Sequence, residues 1–132
     1  MKKIIAALIF SLVCLHAVAA SSADWLVISE TRFLYLPSIK RTGDIVSVWV
    51  KIINKNNMKL SPNQNVAYTL MYHQYDCRNK KVKVDKIITY NSRDKELSKG
   101  RPRLSWQTIK PNTTFETEGG ILCKYKITKK KK

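Results

Sequence analysis

IVSVWVKII (45–53) and VAYTLMYHQYDC (66–77) are the stretches that decide the fold. In the first, Val46, Val48, Val50 and Ile52 recur at every second position, with Ser47 and Lys51 between them. A period of two is the pleat of a strand with one face buried. In the second, Ala67, Met71, Tyr75 and Cys77 share one face while Tyr68 and Tyr72 share the other. Gly43-Asp44 opens the first strand, and the polar NKNNMKLSP (54–62) separates it from the second as a turn region. The same alternation resumes through Val82 and Val84 in KVKVDKIITY (81–90), after a turn at Asn79-Lys80.

Phe33 to Leu36 is a short apolar run that ends at Pro37. Asn91 to Arg103 is a looser basic stretch, followed by a short strand over Leu104 to Ile109. Thr113-x-x-Glu116 has the form of a capping box, so a short helical turn is expected there until Gly119-Gly120 stops it. Ile121 to Ile127 then returns as an edge strand carrying Cys123. The sum is an α+β, mostly-β fold: a single small antiparallel sheet with one short helix near the carboxyl end.

The 132 residues suffice for one domain, and the first of them stand apart from it. MKKIIAALIFSLVCLHAVAA (1–20) has a basic start at Lys2 and Lys3, an apolar stretch from Ile4 to Leu15, and the small-x-small pattern Ala17-Val18-Ala19. That is the anatomy of a secretory signal peptide, and the run is too short to span a bilayer. Cys14 follows Val13, a poor residue for a lipidation site. The expected division is therefore a signal peptide at 1–19, a domain at 20–128 and a basic tail at 129–132. Removing residues 1–19 takes away Lys2 and Lys3 and no acid, which leaves 23 bases against 9 acids. Cys77 and Cys123 remain, and in an exported chain an even pair is most simply a disulfide, the alternative being two buried thiols.

Residues that carry chemistry are scarce. His73 is the single histidine of the exported part and sits in an alternating strand, where a structural role outweighs catalysis. No second histidine completes a zinc set, and the acids show no metal-ligand spacing. Glu116 and Glu118 sit at a helix start, where the dipole accounts for them. With four glycines and no phosphate loop or nucleophile elbow, the expectation is no cofactor, no metal and no enzymatic activity.

The basic residues are the remaining signal. They fall as Arg78, Lys80, Lys81, Lys83 and Lys86, then as Arg93, Lys95, Lys99, Arg101 and Arg103, and as a lysine tail ending at Lys132. A field of this sign attracts polyanions such as lipopolysaccharide, glycosaminoglycan or nucleic acid, and the competing reading is an ordinary solvated surface. The ten residues from Arg78 to Arg103 are the polyanion-binding candidates.

Trp25, Tyr35 with Pro37-Ser38-Ile39, Arg41-x-Gly43 and Val48-Trp49-Val50 form an ordered series. It continues through Tyr75-Asp76-Cys77, the basic strand ending at Tyr90, Trp106-x-x-Ile109-x-Pro111 and Cys123. This series resembles the bacterial surface-adhesin protein E family over nearly the whole exported chain. The resemblance implies a small antiparallel sheet, a helix packed near the carboxyl end and a Cys77–Cys123 disulfide. It also implies a non-enzymatic role in binding host extracellular-matrix or serum proteins. Two features depart from the family pattern: the poor lipidation site, and the polar, lysine-rich segment from Asn54 to Asn65.

Trp49 and Trp106 alternate with apolar neighbours and read as core. For Tyr68 and Tyr72 the expectation is that the helix covers their face and buries both; the alternative leaves them facing solvent. Two functions follow: an exported adhesin-like binding protein, periplasmic, surface-bound or secreted, or a small inhibitor of the kind that blocks lysozyme. Common animal lysozymes are basic and would be repelled by this chain, which favours the binding protein.

Overall fold

The computed structural model describes residues 22–55, 59–61, 64–102 and 105–127. The signal-peptide segment 1–19, the tail 129–132, Arg103 and the start of the strand expected at Leu104 lie outside them. A 3-10 turn (Ser22–Asp24) leads into β1 (Trp25–Ser29), β2 (Arg32–Thr42) and β3 (Ile45–Ile53). A hairpin excursion, β4 (Lys59–Ser61) with β5 (Gln64–Asn65), is followed by β6 (Tyr68–Asp76), β7 (Lys81–Tyr90) and β8 (Glu96–Gly100). Short β9 (Gln107–Thr108) and helix α1 (Thr114–Lys124) complete the chain. The main sheet runs β1-β2-β3-β6-β7-β8, antiparallel throughout, and β9 pairs with Lys81 and Val82 at the far end of β7.

The alternating stretches behave as their period requires. Val46, Val48 and Val50 are fully buried and face Tyr75, His73 and Met71 across the ladder. With Leu34, Ile39, Val82 and Leu122 they form a core between one sheet face and α1.

Four local expectations are corrected. The apolar run at Phe33 does not end at Pro37, because β2 continues to Thr42. The ladder to β3 breaks between Tyr35 and Lys40. Proline, which has no N–H to give, is tolerated at such an irregularity. Ser38 bridges the gap: its hydroxyl donates to the Tyr35 carbonyl (2.6 Å) and accepts from the Trp49 N–H (2.9 Å). Residues 96–100, within the stretch read as loose, form β8. The segment read as a turn region from Asn54 to Pro62 contains β4.

The fourth correction is the helix. The Thr113 hydroxyl caps it by accepting from the Glu116 N–H, as the capping box requires, but Gly119-Gly120 does not stop it. It runs on to Lys124 and carries Cys123 itself, so residues 121–127 form no returning edge strand. Gly119 is there for packing. A Cβ at this position would lie 2.9 Å from Cδ1 of the buried Tyr75 ring, whereas a Cβ at Gly120 would meet nothing within 4 Å. At the far end, Arg41 donates to the carbonyls of Leu122 (3.3 Å), Cys123 (3.0 Å) and Tyr125 (3.4 Å), which places a cation at the carboxyl end of the helix.

These two adjacent glycines should therefore respond in opposite directions to the same change. Gly120→Ala gains up to about 1 kcal/mol from helix propensity. Gly119→Ala gains the same and loses about 1–3 kcal/mol to overpacking, for a net loss. Urea midpoints of the two variants check this; equal shifts would refute the close approach to Tyr75.

Candidate functional site

Acid–base residue types do converge in this protein, on the helix side of the sheet. Glu118, read as sitting at a helix start where the dipole accounts for it, points into the core. Its Oε1 lies 2.7 Å from His73 Nδ1 and its Oε2 3.4 Å from Arg32 Nε. Phe115 packs beside both the His73 ring (5.5 Å between centroids) and the Arg32 guanidinium (5.7 Å). Burial first, and then the Glu118 carboxylate, hold the Tyr75 phenol well above its usual pKa. His73, Tyr75 and Glu118 are all 0% exposed. The cluster clamps α1 to β2 and β6, in line with the structural role read for His73. A Cys77–Cys123 disulfide, with Cα atoms 5.7 Å apart, ties the end of β6 to the last turn of the same helix.

Helix α1 covers only that face. The opposite face carries side chains in rows set by the strand register. One row runs Trp25–Tyr35–Trp49–Tyr72–Lys86 across β1, β2, β3, β6 and β7 as direct cross-strand partners. The next runs Val27–Phe33–Lys51–Leu70–Ile88–Lys99, out to β8. A third holds Ile53, Tyr68, Tyr90 and Glu96. Ring centroids lie 4.9 Å apart for Trp25–Tyr35, 5.2 Å for Trp49–Tyr72 and 4.9 Å for the stacked Tyr68–Tyr90. Over these rings sit ammonium groups: Lys51 Nζ is 4.5 Å from the Tyr68 centroid and 5.9 Å from Trp25, and Lys86 Nζ is 5.8 Å from Tyr72. Such contacts contribute about 0.5–1 kcal/mol at exposed sites and hold the charges in place. The Tyr68 hydroxyl donates to Asp94 (2.8 Å), and burial together with that bond pushes its pKa up to about 12.

Tyr68 and Tyr72 are thus half-buried on the helix-free face; the expectation that the helix covers them is corrected. Trp49 belongs to that face too, not to the core, and Trp106 is half-buried. Strand period alone cannot say which face a helix will take, and the buried Glu118–His73–Arg32 contact is what places it.

The basic candidates are dispersed by the fold. Arg78 and Lys80 lie at the β6–β7 turn, where Asp76 accepts from the N–H groups of Arg78 and Asn79. The Asn79 bonds hold the Asp76 carboxyl below its usual pKa. Arg93 and Lys95 lie at the β7–β8 turn, at the opposite end of β7. Lys81 and Lys83 share the helix-free face as partners of Asp76 and Gln74. Lys86, Lys99 and Arg101, distant in sequence from Trp49, line one cavity of about 360 Å³ with it. Arg103 lies outside the described residues. Among the described residues no group of three or more His, Cys, Asp or Glu is placed to hold a metal ion, and no helix is long and apolar enough to cross a membrane.

An antiparallel meander with one disulfide-tethered helix on one face and aromatic rows on the other defines a small, disulfide-linked, mostly-β protein. More narrowly, the chain belongs to the surface-adhesin protein E family, whose sequence pattern it matches over residues 25–124. Its fold is similar to that of Haemophilus influenzae protein E in a second crystal form, with a TM-score of 0.61 at 16% identity over 78% of this chain and 89% of that one. The selenomethionine form of the same protein gives 0.60 at 15% identity, covering 78% and 88%. Protein E from non-typeable Haemophilus influenzae gives 0.58 at 14% identity, covering 80% and 78%. At such identities the likeness is one of fold. A sequence comparison with curated proteins gave no match.

Proposed function

We propose that this chain is an exported, non-enzymatic binding protein of the adhesin type, and that the helix-free sheet face is its binding surface. The observation that carries this is the set of cross-strand rows, in which Trp25, Tyr35, Trp49 and Tyr72 stand beside Lys51, Lys86 and Lys99. Aromatic side chains supply contact area at low entropic cost and are enriched at the centres of interfaces. The lysines select acidic partners and speed encounter. Ligands fitting this chemistry are acidic polymers and acidic patches on host matrix or serum proteins. Family membership supports the adhesin reading, and residues 1–19 support export to the periplasm, surface or medium.

Tyr72→Ser tests the face, because Tyr72 lies away from the core and its loss should leave the melting transition in place. Binding to immobilised matrix proteins and to heparin is measured at about 0.15 M salt and at about 1 M, where the Debye length falls from about 8 to about 3 Å. The expected result is an affinity lowered about tenfold at both salts, the size of a central interface residue. Salt-sensitive binding untouched by Tyr72→Ser, and equally by Lys51→Gln, would show a nonspecific basic protein instead.

A further inference from the structure

We propose that the cavity at the β7–β8 end of the helix-free face is a subsite for a sulfated sugar unit of an acidic glycan, with the pyranose ring against Trp49 and its anionic groups on Lys86, Lys99 and Arg101. This rests on the reading of that face as the binding surface. The cavity, of about 360 Å³, is lined by Trp49, Lys86, Ile88, Lys99, Gly100 and Arg101. Its volume is at the lower end of small-ligand sites, the scale of a short saccharide segment. Trp49 is on β3 and Lys86 and Ile88 are on β7, with β6 between them, and all three line the cavity.

Its composition selects among polyanions. Trp49 and Ile88 supply an apolar floor, and three cations stand around that single aromatic platform. A nucleic acid strand offers one phosphate per base and asks for successive exposed aromatic faces, one for each base. Here the nearest second ring, Tyr72, is already engaged with Trp49 at 5.2 Å and with the Lys86 ammonium at 5.8 Å. A sulfated disaccharide brings several anions on one compact pair of rings, the ratio this cavity matches. The guanidinium of Arg101 suits the bidentate geometry of a sulfate or carboxylate.

The test uses the full exported chain and a heparin octasaccharide, followed by calorimetry at several salt concentrations around 0.15 M. Lys99→Gln and Arg101→Gln should each lower the affinity and flatten the salt dependence by about one released counterion. Trp49→Leu should lower affinity about tenfold and leave the salt slope unchanged, since it removes contact area and no charge. Trp49→Phe, which keeps a ring and disturbs the sheet less, should retain binding within about threefold of the wild type. Oligodeoxythymidylate of matched charge should bind at least about tenfold more weakly than the octasaccharide. Equal or tighter binding of the oligonucleotide would overturn the glycan assignment. Octasaccharide binding that ignores Trp49, Lys99 and Arg101 but is lost in Tyr72→Ser would overturn the subsite while the binding face stands. Binding unaffected by any of these changes would overturn both.

Discussion

Glu118→Ala should lower the stability of the protein by about 3–5 kcal/mol, the usual consequence of removing one partner from a buried ion pair. Glu118 and His73 are fully buried, and the Arg32 side chain is 12% exposed. Without the carboxylate, the Arg32 guanidinium loses its buried counter-charge and the His73 imidazole its Nδ1 partner. For a domain of this size the melting temperature should fall by more than about 10 °C. Replacing all three by apolar residues of similar volume (Arg32→Met, His73→Leu and Glu118→Leu together) should recover most of the loss, because the desolvation cost disappears along with the pair. That comparison separates an electrostatic clamp from simple cavity formation. A Glu118→Ala protein within about 1 kcal/mol of the wild type would show that the contact does not hold the helix.

Removal of the disulfide by Cys77→Ser with Cys123→Ser is the second large effect. The bond closes a loop with a sequence separation of 46 residues, which in the chain-entropy treatment corresponds to about 4 kcal/mol. Because both the bond and Glu118 hold α1 against β6, the two perturbations should not add: once the helix is released by one, the other has less to lose. A double-mutant cycle read by urea unfolding gives the coupling directly. Tyr75 and Leu122 would become exposed together in the disulfide-free protein, visible as increased binding of a hydrophobic dye. Unchanged stability on reduction would place the helix under the control of the buried cluster alone.

The strands that turn one face to the core under α1 were legible because their burial is one-sided. Val46, Val48 and Val50 announce β3, and Val82 and Val84 announce β7, through a period of two. β8 was not legible, since ELSKG (96–100) has one half-buried side chain and is recruited by pairing with Ile87 to Tyr90. The helix extends through Gly119-Gly120 because the approach to Tyr75 needs the absent Cβ, a tertiary demand that overrides local propensity. Trp49 misled for a similar reason: alternation places it opposite Val48 and Val50 but says nothing of which face is closed. The basic residues were visible as two sequence clusters, yet the trio at Trp49 draws Lys86 from the first and Lys99 and Arg101 from the second. That grouping depends on the β7–β8 register, which no short-range pattern reveals.

The most direct test of the binding face is residue-by-residue mapping of where an acidic ligand lands. Backbone and side-chain resonances of the folded chain would be followed by NMR while a heparin octasaccharide is added at about 0.15 M salt. The expected result is that perturbations gather on the cross-strand rows, at Trp49, Lys51, Tyr72, Lys86, Ile88 and Lys99, with α1 and the Glu118 cluster unmoved. Perturbations confined to the turns at Arg78–Lys80 and Arg93–Lys95, or to the helix side of the sheet, would contradict it.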